Sequence, residues 1–174
     1  MARPRISDLE RLDLILLNLA RIVPGYPLDL ALLARLSALL EKRTVETVND
    51  ALRPLDLSYV LYHAMMIIHG SDGGVATPSE LAELTGERPN NVTHICNQLE
   101  TAGLIVRAPA RSDRRRVQIS LSAAGRRLLG RAQPLVWALW RRRFQDSGAK
   151  QLAQLPQLLR RQIHNLDAPA GAPR

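Results

Sequence analysis

Residues 77–125 read TPSELAELTGERPNNVTHICNQLETAGLIVRAPARSDRRRVQISLSAAG. The stretch opens on a helix start. Thr77 has the hydroxyl of an N-cap, Pro78 suits the first helical position, and Glu80 closes a capping box. That short helix ends at Thr85-Gly86, and Pro89 opens a second helix that ends at Gly103. The repeat then changes. Leu104-Ile105-Val106 reads as a strand. Val117, Ile119 and Leu121 alternate with Arg116, Gln118 and Ser120, the period of two of a second strand. Between the strands lies a long basic tip, residues 109–115 (PARSDRR). Two helices across a glycine-containing turn, followed by a hairpin, make the order of a winged helix-turn-helix.

The second helix has two faces. Val92, Ile95, Cys96 and Leu99 follow the i, i+3, i+4, i+7 spacing of one apolar side, and Leu81 and Leu84 of the first helix are expected to pack against it. Asn90, Asn91, Thr93, His94, Asn97 and Gln98 occupy the other side, which is polar and uncharged until Glu100. Such a surface suits base edges, since Asn and Gln pair with adenine and Thr meets a thymine methyl. Phosphate attraction is then left to Arg88 and the hairpin. There Arg107, Arg111, Arg114, Arg115 and Arg116 face a single acid, Asp113. An arginine-rich turn is by default merely solvated, but directly after a helix-turn-helix a minor-groove or phosphate contact is the better reading.

Outward from this module the chain is helical. Ser7 and Glu10 form a capping box before Leu9, Leu12, Ile15, Leu16 and Leu19, and Pro24-Gly25-Tyr26-Pro27 ends that helix. A leucine-striped helix runs from Leu28 to about Leu52, where Pro54 stops it, and another covers Ser58 to His69. Ser122 caps a last helical region, which Pro134 and Ser147-Gly148 are expected to divide. The fold class expected is mainly α with a small β-hairpin wing: a winged helix-turn-helix plus a helical dimerisation region. Its parts are N-terminal dimerisation helices (1–56), the DNA-binding module (57–125), C-terminal dimerisation helices (126–167) and a disordered tail (168–174). The helices outside the module carry more leucine than it can cover. Leu135, Leu139, Leu152, Leu155, Leu158, Leu159 and Ile163, joined by Trp137 and Trp140, call for a partner surface and predict a homodimer. A twofold dimer would set two recognition helices about 34 Å apart, one turn of DNA, on a pseudo-palindromic operator.

Composition narrows the partners. The formal charge is +8, carried almost wholly by Arg, with Lys only at 42 and 150. Nucleic acid and anionic membrane are the usual partners of such a balance. The N-terminal apolar stretch is broken by Asp8, Glu10, Arg11 and Asp13, so it reads as an amphipathic helix, not a signal peptide, and a cytoplasmic location without membrane attachment is expected. His63, His69, His94 and His164 lack metal-ligand spacing, and no nucleophile triad, phosphate loop or paired carboxylate motif is present. No metal, no cofactor and no enzyme activity are expected. Cys96 invites a redox-sensor reading, but its place on the apolar face favours a core residue.

The run from Leu81 to Gly125 strongly resembles the MarR family of bacterial transcriptional regulators. The resemblance is carried by Ser79-Glu80-Leu81, Val92-Thr93-His94, Leu99-Glu100, Gly103-Leu104-Ile105, the wing Asp113-Arg114-Arg115, and the leucine-hydroxyl-x-x-glycine pattern of Leu121, Ser122 and Gly125. It extends weakly to the flanking helices, and the extra N-terminal helix resembles the EmrR-like branch. The resemblance implies that Asp113 holds Arg115, that Arg115 enters the minor groove, and that Thr93 and His94 face the major groove. The DNA contacts expected are Ser79, Arg88, Asn90, Asn91, Thr93, His94, Asn97, Arg111, Asp113, Arg114, Arg115 and Arg116. His94 departs from the family's usual Arg: it either reads a base as neutral imidazole or makes binding pH-sensitive. The resemblance also implies a repressor released by a small aromatic acid or phenol. The ligand residues expected are Leu36, Leu40, Arg43, Tyr59, His63 and Met66, with Arg43 or His63 meeting a carboxylate; the same residues also read as plain core. The alternative function is an effector-independent, nucleoid-type DNA-binding protein.

Overall fold

The computed structural model describes residues 7–109 and 117–168. Arg111, Asp113, Arg114, Arg115 and Arg116 lie outside the described residues, as does the expected tail beyond residue 168. The chain divides into two compact units, Met1–His63 and Ala64–Arg174.

In the first unit, α1 (Asp8–Ile22) begins at the expected capping box. Ser7 Oγ accepts the Glu10 N–H at 3.2 Å, and Glu10 accepts the Ser7 N–H at 2.7 Å. The Ser7 hydrogen bonds hold the Glu10 carboxyl below its ordinary pKa. The second helix, α2 (Leu28–Leu52), has the expected bounds. Pro54 sits in the short 3-10 turn Arg53–Leu55 that follows. Arg43 ties the two helices together by pairing with Asp8 across them and with Glu46 at 3.1 Å on its own helix. The next helix, α3 (Tyr59–Gly70), starts where Asn49 Oδ1 accepts the Tyr59 N–H at 2.7 Å. Leu16, Val48, Leu52, Leu57 and Tyr62 are buried, while Leu9, Leu14, Ile15 and Leu17 of α1 and Leu30, Leu33, Leu36 and Leu40 of α2 stay exposed.

The second unit holds the winged helix. Its order is β1 (Val75–Ala76), α4 (Pro78–Thr85), α5 (Pro89–Thr101), β2 (Ile105–Pro109), β3 (Val117–Leu121), α6 (Ala123–Arg143) and α7 (Ala149–Asp167). The mainly helical fold with a small sheet is the expected class. The sheet, however, has three antiparallel strands in the order β1-β3-β2, where the hairpin alone was expected. Val75 pairs with Ser120 and Ala76 with Ile119, beside the β2–β3 pairing of Ile105 with Leu121 and Arg107 with Ile119. A two-residue strand has no alternation to read, so pairing alone defines it.

Two packing expectations need correction. Leu81 is 1% exposed, but Leu84 is 58% exposed and does not pack in the core. Pro134 does not divide the C-terminal region, because α6 runs through it. Proline removes one helical hydrogen bond and costs about 3 kcal/mol. Burial of Leu129, Ala132 and Val136 on either side favours continuity. The Ser147-Gly148 break is present between α6 and α7.

One junction fixes how α5, the wing and α6 meet. Gly103, at φ +67°, ends α5 as a Schellman cap: its N–H reaches Glu100 C=O and the Leu104 N–H reaches Leu99 C=O, both at 2.8 Å. Ser122 then caps α6 and clasps the same turn. Its Oγ accepts the Gly125 N–H at 2.9 Å, its hydroxyl donates to Gly103 C=O at 2.6 Å, and its N–H donates to Leu104 C=O at 2.9 Å. Gly125 leaves room for that carbonyl, since a Cβ there would stand 2.1 Å from Leu104 O.

Candidate nucleic-acid interface

Capping chemistry sets up the helix pair. Thr77 Oγ1 accepts the Glu80 N–H at 3.3 Å, and Glu80 accepts the Thr77 N–H at 2.7 Å, as the sequence predicts. Gly86, at φ +72°, turns the chain out of α4, and Pro89 takes the first position of α5. Val92, Ile95, Cys96 and Leu99 are all buried. Val92, Ile95 and Leu99 each contribute about 1.5–3 kcal/mol, enough to hold the helix in one orientation. Asn90, Asn91, Thr93, His94, Asn97 and Gln98 are thereby held on the solvent side, and all are exposed. Arg88, the N-cap residue of α5, and Ser79, in the first turn of α4, are exposed as well.

Several of these side chains already have partners. Asn91 Nδ2 donates to Glu87 Oε2 at 2.5 Å, which leaves the Asn91 amide oxygen open. The Thr93 hydroxyl donates to Pro89 C=O at 3.0 Å, so its remaining offer is its methyl group and an acceptor lone pair. Arg107 stands near the tip arginines in the sequence, but its side chain turns to α5. On β2 it reaches back to α5, with Nη2 2.6 Å from Asn97 Oδ1 and Nε 3.3 Å from Glu100 Oε2. Nε is out of solvent and not aligned for a hydrogen bond, so its link to Glu100 is one of charge alone. Glu100 thus offsets an arginine that the sequence leaves facing only Asp113.

Cys96 is buried, and burial pushes its thiol above the ordinary value; Arg107 pulls the other way and Glu100 adds to the rise. A desolvated thiol with a raised pKa is a poor nucleophile. Among the described residues, no group of three His, Cys, Asp or Glu side chains is placed to hold a metal. No described helix is long and apolar enough to cross a membrane.

The first unit holds a cavity of about 460 Å³ between α1 and α2, lined by Ser7, Asp8, Leu9, Leu36, Leu39, Leu40 and Arg43. It gathers three of the expected ligand residues, Leu36, Leu40 and Arg43. Tyr59 and His63 do not line it; their rings stack on each other with centroids 5.6 Å apart. Burial, and then the nearby Glu41 charge, raise the Tyr59 phenol. Met66 belongs to the second unit, where its Sδ accepts from Gln133 Nε2 at 3.4 Å. Ser7, Asp8, Leu9 and Leu39 are additions that sequence reasoning missed. The signal was there in the capping box, which places the start of α1, but only the packing of α1 on α2 puts it beside Leu36.

Residues 55–116 match the family model described as MarR family. The HTH-type transcriptional regulator PrsX of Escherichia coli is 25% identical over 120 residues, which span 69% of this chain and 72% of that protein. AbsC, a MarR family transcriptional regulator from Streptomyces coelicolor, shares the fold with a TM-score of 0.70 at 24% identity, over 76% of this chain and 90% of its own. A mutant MarR from E. coli complexed with operator DNA shares it with a TM-score of 0.68 at 23% identity, over 82% of this chain and 96% of its own. Together these likenesses show a shared fold, with the family match confined to residues 55–116.

Proposed function

We propose that this chain is a MarR-family homodimeric transcriptional regulator that reads duplex DNA in sequence-specific fashion, acting as a repressor that a small phenol releases. The observation that carries the reading is the solvent side of α5, with its row of uncharged hydrogen-bonding side chains held outward by four buried ones. The similarity to a regulator, PrsX, and to a MarR bound to operator DNA supports the same reading. Regulators of this family bind DNA and are not enzymes. Asn90, Asn91, Thr93, His94 and Asn97 would address base edges in the major groove, Ser79 and Arg88 would position the helix on phosphates, and Arg111, Arg114, Arg115 and Arg116 would follow the backbone or enter the minor groove. The exposed leucines of α1, α2 and α7 would form the dimer, and α1 as an extra helix fits the EmrR-like branch.

Footprinting tests the reading. One short palindromic site is the expected result; scattered protection would favour a nucleoid-type protein instead. Arg115→Ala should cost about 1–3 kcal/mol of DNA binding and flatten its salt dependence. Thr93→Ala should relax base preference more than it weakens non-specific binding, and equal losses on both would count against base reading.

The effector proposal rests on the α1–α2 cavity. Its volume falls in the usual range for small-molecule sites, and its walls are mainly leucine. Arg43 is already paired with Asp8 and Glu46, so it offers no uncommitted charge to a carboxylate. A neutral phenol therefore fits better than an aromatic acid. A simple alkylphenol should raise the melting temperature and weaken operator binding, a benzoate of the same size should do neither, and Leu40→Trp, by filling the cavity, should abolish the phenol's effect. A stronger response to the benzoate would overturn the choice of ligand class.

A further inference from the structure

We infer that Arg107 sets the hydrogen-bond polarity of Asn97 and so decides which base edge that residue of α5 reads; the inference rests on the DNA-reading role proposed above. A guanidinium has donors and no acceptor, so only the amide oxygen of Asn97 can face it. At 2.6 Å that oxygen is committed. Asparagine reads adenine with both ends of its amide, the oxygen accepting from N6 and the nitrogen donating to N7. Arg107 occupies the first of these ends, and its positive charge beside Oδ1 disfavours a second N–H there. Asn97 is left to present its Nδ2 hydrogens, which suit the paired acceptors O6 and N7 of guanine, or O4 of thymine, better than adenine, whose N7 stands beside the N6 donor.

The arrangement is held from both sides. Asn97 and Glu100 are three residues apart, so they sit as neighbours on one helix face. Glu100 keeps the guanidinium in place by charge, 3.3 Å from Nε. On the other side, Arg107 pairs in the sheet with Ile119, which is fully buried. Asn91 provides the contrast. One of its two Nδ2 hydrogens goes to Glu87 and its oxygen accepts no described hydrogen bond, so unlike Asn97 it can still accept from a base.

The experiment is selection of bound duplexes from a random pool with the full-length chain, its R107M, R107K and N97A variants, and the N97A/R107M double variant. The wild type should prefer G or T at one position of each half-site. R107M frees Oδ1 and should move that position toward A by about tenfold, the discrimination expected of one bidentate contact. The position read by Asn91 and the salt dependence should stay as in the wild type. R107K should keep the wild-type preference, N97A should lose it, and the double variant should add nothing to N97A. If R107M melts early, Glu100→Gln loosens the same contact more gently and should shift the same position partway. Uniform weakening of all duplexes by R107M, with a shallower salt slope, would make Arg107 a phosphate contact and overturn the inference. An unchanged preference would overturn it too, leaving the DNA-reading role intact. A wild type that selects no duplex would remove both.

Discussion

Gly125→Ala lowers stability by about 3 kcal/mol, near the upper end of overpacking costs in well-packed sites. For a chain of this size the melting temperature should fall by roughly 6–12 °C. The added Cβ would stand 2.1 Å from Leu104 O and 3.0 Å from Leu104 C, and neither is a flexible side-chain end. The carbonyl cannot retreat freely, because Leu104 O accepts the Ser122 N–H and the Leu104 N–H is bound to Leu99 C=O. Relief must open the cap of α5, the root of the wing or the start of α6. Gly130→Ala is the internal control. It lies on the same helix with nothing within 4 Å of the new methyl, so it should be neutral or stabilise by about 0.5–1 kcal/mol. Thermal melts followed by circular dichroism compare the two. Equal melting of Gly125→Ala and the wild type would mean that the approach to Leu104 is looser than described.

Leu155→Glu with Leu159→Glu should turn a dimer into a monomer. No side chain of α7 is buried, although Leu152, Leu155, Leu158, Leu159, Ile163 and Leu166 all lie along it. A 19-residue helix with Pro156 inside has too little intrinsic propensity to persist alone, so its apolar side needs a cover. The proposed cover is a second copy of the chain. Two buried carboxylates facing that copy would be unpaired and costly. Sedimentation should then report a monomer, and operator affinity should fall at least about a hundredfold, because the second half-site loses its high effective concentration. A variant that remained dimeric would move the interface elsewhere.

Much of the architecture was readable where the chemistry is local. Both capping boxes, Ser7 with Glu10 and Thr77 with Glu80, form as their three-residue spacing implies. The two faces of α5 follow from its periodicity, and Gly103 marks its end because only a left-handed residue completes that cap. The errors lie where distant groups decide. Leu84 carries an apolar side chain that stays 58% exposed, and Pro134 sits in a helix that packing keeps whole. Arg107 finds Asn97 and Glu100 only because the chain folds back at Gly103. Arg43 spends its charge on Asp8, a residue on a different helix that no spacing rule links to it. The buried and exposed faces of α5 were thus legible in the sequence, while the hydrogen-bond partners of its side chains had to come from the tertiary fold.

The small sheet also bears on strand-to-strand aggregation. Its outermost strands, β1 and β2, each leave a row of backbone groups that another chain could use as a template. One of these rims is only two residues long. The other ends in Pro109, which has no N–H to give, and carries the cation of Arg107 partway along. Among the described residues neither rim offers a long ladder, which favours the proposed self-association through leucine-rich helices over strand addition.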